Sequence, residues 1–377
     1  MSLLDTLRSP VTGQLLERDT PHSLAAPGER WPIVDGIPYL RTESEGLVAV
    51  ALDHLDADCP DDALVALLTD QDGWWTGPAT DLGELKRLVR ERDSLTLREA
   101  MALLRMGPVA DYFAHRWVDP TYLAGLALIE AHWAAAGTAF ELACGIGHYL
   151  RELTRRGTAC LGADVVFSKC WLAKHWVAPD ADYLVFDAAA PWPIAGQRFD
   201  LTMCQDAFYF LPEQQEIARR LRAVTEADGT LLVGHLHNSE YWNGSKGPAR
   251  PWSDWAAIFP DAAVYDEGAL LHALLVAGRA EPQGWYEDRK VEAWSLAEPA
   301  RPARPVDGGI ALPPPGAVLR PNPLVGAEAG HEHVQWPSPR WRDEYGPGCF
   351  WANRDDELGF VPDPVRLRRV VDLPERW

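Results

Sequence analysis

The sequence predicts an α/β protein. It has a doubly wound sheet of mainly parallel strands, a small β-module and a helical cap before it, and an irregular proline-rich arm after it. Three observations carry that prediction. Between residues 138 and 298 short apolar runs alternate with amphipathic stretches across short connections, which is how strands and helices in turn are written. Inside that region AFELACGIGHYLRELTRRG (139–157) reads as a buried strand, a two-glycine turn and a helix stopped at Gly157. The last 79 residues hold 14 of the 31 prolines, too many for a regular sheet or bundle. They keep Trp336, Trp341, Tyr345, Phe350, Trp351 and Phe360, which a disordered tail would lack. The expected segments are 1–41, 42–137, 138–298 and 299–377.

Composition narrows the function classes. A hydrophobic content of 47% and 17 Trp in 377 residues mark a folded chain with a sizeable core. The formal charge of −20 disfavours nucleic acid and anionic membranes as partners. No apolar run approaches the roughly 18 residues of a membrane span, and the start MSLLDTLRSP has no secretory core. Six cysteines without a CxxC pair read as isolated reduced thiols. The expectation is a soluble, cytoplasmic protein.

Taken in order, LLDTLRSPVTGQLL followed by ERWPIVDGIPYL resembles the small zinc-ribbon family that includes the activator subunit of tRNA and protein methyltransferases. Trp31 to Pro38 keep the second half of that pattern. The four metal positions fall on Ser9, Thr12, Leu24 and Pro27, none able to supply a thiolate, so the expectation is a metal-free β-module with a hairpin turn at Asp35-Gly36. From Thr42 to Asp72 there are nine acids and no Lys or Arg, read as an acidic linker with one short helix at 61–69. Trp74-Trp75 precede a turn. Residues 81–137 read as three helices: one with Leu82, Leu85, Leu88 and Val89 on one face, one opened by the capping box Thr96–Glu99 and stopped at Gly107-Pro108, and one capped by Asp119. Tyr112, Phe113, His115, Arg116 and Trp117 form an aromatic and basic cluster between them, either plain packing or a lid.

The core then reads as helix 148–156, strand ACLGADVV, a helix near 168–177, strand DYLVF, an irregular DAAAPWPIAGQ, strand FDLTMCQ, a helix from Pro212 and strand GTLLVGHLH. A helix DEGALLHALLVAG and a last strand KVEAWSLA complete it. Ligands in such a sheet sit outside the carboxyl ends of the strands.

In that order, ELACGIGH, GADVV, FDLTMCQDAFYFL and DGTLLVG resemble class I S-adenosylmethionine-dependent methyltransferases of the type 11/12 kind, over about residues 110–298. The resemblance implies a Rossmann-like methyltransferase sheet with S-adenosyl-L-methionine as cofactor. In this family an acid is followed by G-x-G-x-G. Here that run is Glu141-Leu142-Ala143-Cys144-Gly145-Ile146-Gly147, with Ala143 replacing the first glycine, which is tolerable if its φ stays negative.

The implied cofactor contacts are Asp164 to the ribose diol, Asp187 with Ala188 to the adenine, and Glu141 with Ala143, Cys144, Gly145 and Gly147 at the methionine end. Cys204 and Gln205 would form the floor, and Tyr149 and Val165 are further implied cofactor contacts. A dinucleotide enzyme would want G-x-G-x-x-G, and position 150 is Leu.

Candidate bases are Asp206, His235 and His237. Candidate acceptor walls are Tyr112, His115, Arg116, Phe208, Tyr209, Asn238 and Trp242. His235 and His237 lack HExxH spacing, so no metal is assigned there. Three readings stay open: a small-molecule methyltransferase, a tRNA or protein methyltransferase, and a non-catalytic cofactor-binding scaffold, which a blocked acceptor pocket would favour.

Overall fold

The computed structural model describes residues 6–71, 77–133, 137–241, 248–288, 290–328, 331–352 and 363–377. Trp74, Trp75, Trp242 and Phe360 lie outside them. The chain opens with an antiparallel sheet of β1 (Glu17–Thr20), β2 (Ser23–Ala26), β3 (Glu29–Val34) and β4 (Ile37–Pro38) in that order. Asp35 and Gly36 both take positive φ, 52° and 73°, the expected tight hairpin turn. Where the resemblance puts two metal ligands, Ser9 and Thr12 instead donate their hydroxyls to the two carboxylate oxygens of Glu29, at 2.6 and 2.7 Å. The indole of Trp31 adds a third bond at 2.9 Å. One carboxylate therefore ties the 9–12 turn to β3.

The acidic stretch is no linker. It forms α1 (Glu45–Asp56) and α2 (Pro60–Leu68), with Ala51, Leu55, Leu64, Leu67 and Leu68 buried. The acids lie mostly on the outer faces, so their number masked the apolar spacing beneath. After α3 (Leu82–Glu91) and α4 (Leu97–Leu103), whose capping box is formed as expected, Pro108 opens a helix and does not end one. This is α5 (Pro108–His115), followed by a 3₁₀ turn at Arg116–Val118 and by α6 (Pro120–His132), capped by Asp119.

The central sheet contains β5 (Thr138–Leu142), β6 (Ala159–Asp164), β7 (Asp182–Val185), β8 (Phe199–Gln205), β9 (Thr225–His237), β10 (Ala263–Asp266) and β11 (Ala293–Glu298). Their order is β10-β11-β9-β8-β5-β6-β7. The five strands from β9 to β7 pair in parallel, and β11 runs antiparallel to both its neighbours. The connecting helices are α7 (His148–Thr154), α8 (Phe167–Leu172, continued by a π turn to Val177), α9 (Gln214–Val224), α10 (Trp252–Ile258) and α11 (Glu267–Val276). Helix α9 begins two residues past Pro212, after Glu213 at φ 45°. Side chains alternate between two cores: Phe140, Leu142 and Leu161 pack with Ile217 and Trp255, while Ala139, Met203 and Leu232 pack with Leu126, Leu150 and Leu274.

The N-terminal sheet docks on the free edge of the central one. Tyr39 bridges Val185 in parallel and the Leu40 amide donates to the Val185 carbonyl at 2.7 Å. Asp35 accepts from the Trp171 indole (2.8 Å) and from His175 (2.6 Å) on the π turn. The arm carries β12 (Arg320–Pro321) paired with β15 (Val370–Val371), β13 (Val325–Glu328) paired with β14 (His331–Val334), and α12 (Pro339–Tyr345).

The arm is held by charge as well as by Trp336, Trp341 and Trp351. The buried Glu130 on α6 accepts four consecutive amides, Gly308 to Ala311, at 2.6–3.0 Å. Asp372 pairs with Arg151 on α7 and with Arg155, which caps the carboxyl end of that helix. The Trp377 indole donates to the Ala114 carbonyl on α5 at 2.7 Å. All six cysteines are free, and no helix among the described residues is long and apolar enough to cross a membrane.

Candidate active site

The strand order reverses between β5 and β8, and the carboxyl ends of the parallel strands form a crevice there. The turn leaving β5 has positive φ at Ala143 (55°), Gly145 (54°) and Gly147 (79°). The expectation of a negative φ at Ala143 fails: the turn keeps the glycine-type backbone, and alanine bears the strain, about 1 kcal/mol. A Cβ on Gly145 would lie 3.1 Å from the Phe113 ring, so the cap packs directly on this turn.

Two acids flank it. Asp164 ends β6 and accepts from the Gly145 amide (3.1 Å) and the Val166 amide (3.0 Å), with Lys169 Nζ at 3.5 Å. Glu141 is buried, and one of its oxygens, Oε2, has no hydrogen-bond partner. Burial pushes its carboxyl up to about 8 against a smaller pull from Arg116, so it is largely protonated at neutral pH. At the end of β7, Asp187 takes the Ala189 amide at 2.8 Å. Close by is a group the sequence did not single out. Arg41 donates to Asp70 (2.7 Å) and to the Val165 carbonyl (3.5 Å), and Tyr39 donates to the same Asp70 at 3.0 Å. A cavity of about 140 Å³ opens beside them, lined in part by Leu68, Asp70, Leu104, Met106, Val166 and Lys169.

A second cluster sits past the ends of β8 and β9. Asp206, at φ 51°, accepts from Tyr112 (2.8 Å) and Tyr209 (3.2 Å) and forms an ion pair with Arg116 at 2.9 Å. Arg116 is 2% exposed and also pairs with Asp119 at 3.1 Å. Burial raises the Asp206 pKa, but Arg116 and His235 more than offset it, leaving the carboxylate ionised. His235, at φ 59°, bonds Glu267 through Nδ1 at 2.8 Å. Burial alone would make it neutral, yet Glu267 and Asp206 lift it to about 9. His237, its ring 4.5 Å from that of His235, is driven down to about 3 by burial and by His235. Tyr345 of α12 stands 6.1 Å from the Tyr112 ring, so the arm closes over this cluster.

Tyr112, Arg116, Asp206, Tyr209, His235 and His237 are thus brought together. Other candidates are not. Phe208 is fully buried against Trp255 and Phe259. Asn238 pins a loop through the Asp288 and Val291 carbonyls, both at 2.8 Å. His115 packs on Trp341 and Trp377, and Tyr149 points to the Thr121 carbonyl on α6. The carbonyl of Ala188 is taken by Trp192 and Arg220. Cys144 and Cys204 are buried thiols pushed up by burial, and Gln205 is buried with Nε2 unpaired. Glu267 was missed as a site residue, while Phe113 and Tyr345, read only as members of the cap cluster and of the arm, reach the strand ends through tertiary packing.

Residues 140–233 match the methyltransferase domain family. No curated protein matches the chain. Among solved structures it is similar to a TehB-like S-adenosylmethionine-dependent methyltransferase from Corynebacterium glutamicum (17% identity, 51% of this chain and 98% of that one, TM-score 0.35). It is also similar to magnesium protoporphyrin IX methyltransferase from Synechocystis with bound S-adenosylmethionine (14%, 46% and 74%, 0.30). A third is the CcbJ methyltransferase from Streptomyces caelestis (19%, 32% and 53%, 0.27). These likenesses are too distant to carry an argument. The domain match over the central sheet does, and the cofactor of this domain is S-adenosylmethionine. The donor set fits such a molecule: an unpaired buried oxygen on Glu141 for an ammonium, a strand-end carboxylate at Asp164 for a diol, and a turn without Cβ at Gly145.

Proposed function

We propose that the chain methylates a small molecule bound beneath the cap and the arm. One observation carries the small-molecule reading. The polar cluster at the ends of β8 and β9 is enclosed by α5 and α12, with Arg116 and Asp206 almost wholly buried. A macromolecular tail needs an open approach, and the −20 charge opposes nucleic acid.

In this reading Asp164 receives the ribose hydroxyls and Asp187 the adenine side, near Val165. Glu141 and the Ala143–Gly147 turn hold the methionine end, with Cys204 and Gln205 beneath. S-adenosylmethionine supplies an electrophilic methyl group; the chain supplies alignment of the acceptor and exclusion of water. Asp206 is held by two hydroxyl donors and the Arg116 ion pair, and His235 is protonated, so neither is a free base at neutral pH. Phe113 lies over Gly145, and α5 must shift for the cofactor to reach the turn. We also propose the N-terminal sheet as a packing module at the β7 edge, and a reducing compartment, supported by the six free thiols.

Calorimetric titration of the full chain with S-adenosylmethionine tests this. Asp164→Ala should weaken binding by about 30-fold or more, two hydrogen bonds to a charged acceptor being lost. Unchanged affinity in that variant would remove Asp164 from the site. One observation favours a second reading, a non-catalytic binder: Phe113 and the Arg116–Asp206 pair cover both halves of the crevice. Tight cofactor binding with no labelled methyl passed to any metabolite or macromolecule in an extract would select it.

A further inference from the structure

The two histidines at the end of β9 make an asymmetric pair. His235 and His237 are two residues apart on one strand, their rings 4.5 Å apart, with the Tyr209 ring 4.3 Å from His237. Glu267 holds His235 from behind: Oε2 takes Nδ1 at 2.8 Å, and Oε1 takes the Ser295 hydroxyl at 2.8 Å. The Ser295 oxygen in turn accepts the His235 amide at 3.2 Å. The front nitrogen of His235, Nε2, is 3.9 Å from Asp206 Oδ1, beyond hydrogen-bond reach. The residue is 8% exposed, and its Nε2, without an acceptor among the described residues, is not sealed off from solvent. The His237 ring makes no hydrogen bond among the described residues, although it too is buried, at 6% exposed. Two ring nitrogens that no described protein group satisfies and that solvent can reach, side by side on one strand, are placed to bind the polar atoms of a ligand.

We propose that the acceptor molecule carries an ionised oxygen next to a hydroxyl, the oxygen bound by His235 Nε2 and the hydroxyl donating to the His237 ring, with Glu267 as the positioning residue that keeps His235 cationic. An aromatic hydroxy acid is the class that fits best, since Tyr209 and His237 offer ring faces beside the pair. Opposite protonation states in neighbouring groups are how a site divides donor from acceptor duties. The groups that face His235 are Glu267 of α11, Asp206 after β8, Glu292 before β11 and His237 on its own strand, with Arg116 beyond Asp206. Three of the four that face it directly are acids, and they hold the imidazolium together.

This rests on the methyltransferase reading, and the test separates the two. The full chain is first titrated with S-adenosylhomocysteine; no binding sinks the enzyme reading by itself. The loaded protein is then titrated with 2-hydroxybenzoate and with the uncharged 2-hydroxybenzamide. The acid should bind at least tenfold more tightly at pH 7, a charge-assisted hydrogen bond being worth that much. The advantage should vanish above about pH 9, where His235 loses its proton. It should fall to near unity in Glu267→Gln at pH 7, a loss that a merely structural role for Glu267 does not produce. Should that variant fail to fold, the pH profile of the wild type decides alone. Equal affinities for the two compounds, binding of neither at millimolar concentration, or an acid preference unchanged at pH 10 would each overturn the proposal.

Discussion

Three neighbouring strands carry a non-glycine residue at positive φ at or near their carboxyl ends: Ala143 just after β5, Asp206 just after β8 and His235 two residues before the end of β9. Strain of this kind persists where surrounding contacts over-determine it, and here it marks the crevice. Ala143→Gly should stabilise the fold by about 0.5 kcal/mol, relief of the left-handed strain slightly exceeding the added chain entropy. Denaturant titration reads this; a loss instead would mean that the alanine methyl is needed in packing. The glycine turn and its flanking acids could be read from the sequence because they are contiguous or sit at strand ends. The strain at Ala143 could not, since φ depends on the amides of Cys144 and Gly147, which close the turn onto Ala163 and Cys144. Glu267 was equally hidden, because its partner His235 is 32 residues earlier in the chain and nothing local links them.

Helix α6 shows how a single carboxylate joins elements distant in the chain. Glu130 faces four amides of the arm, and burial, which would raise its pKa, is outweighed by those four bonds. Glu130→Ala strands four donors, two of them buried, and should cost about 3 kcal/mol, with faster proteolysis within residues 299–377 as the specific sign. Unchanged cleavage would show that the tryptophan packing alone holds the arm. Glu29→Ala should cost less, about 1–2 kcal/mol, because that clasp is partly exposed; the loss should appear as earlier melting of residues 6–40 in hydrogen exchange. The strands and helices of the core were legible from alternation and capping: Thr96–Glu99 and Asp119 cap α4 and α6 as expected. Helix α1 was obscured by its acids. Helix α5 was lost because Gly107-Pro108 reads equally as the end of one helix and the start of the next. The antiparallel edge formed by β10 was missed because four residues carry too little periodicity.

For the whole molecule, buried titratable groups set a narrow range of stability. His115 and His132 are pulled to about 4, and His148 and His237 to about 3, burial being the main cause in each. Their contribution is complete above about 6.5 and is lost as pH falls through the folded values. His235, raised to about 9, and Glu141, raised to about 8, act the other way. They bind protons in the folded state that the unfolded chain releases, so their contribution falls as pH rises, from about 6.5 to 9 for His235 and from about 4.5 to 8 for Glu141. Each such group changes stability by about 1.4 kcal/mol per pH unit within its window. The melting temperature should therefore peak near pH 6.5. A decline that ends by pH 8, where Glu141 has lost its proton, would show that His235 is neutral in the folded chain.

The contacts made by residues 372–377 bear on how the protein is made. Asp372 grips the helix that follows the glycine turn, Arg376 takes the carbonyls of Arg92 and Leu95, and Trp377 takes that of Ala114. Those partners leave the ribosome more than 200 residues earlier. Domains generally acquire structure as they emerge, so the central sheet can assemble first while α4 and α5 still lack the clamp that seats them. Translation order thus leaves α4 and α5 without that clamp until residues 372–377 have emerged.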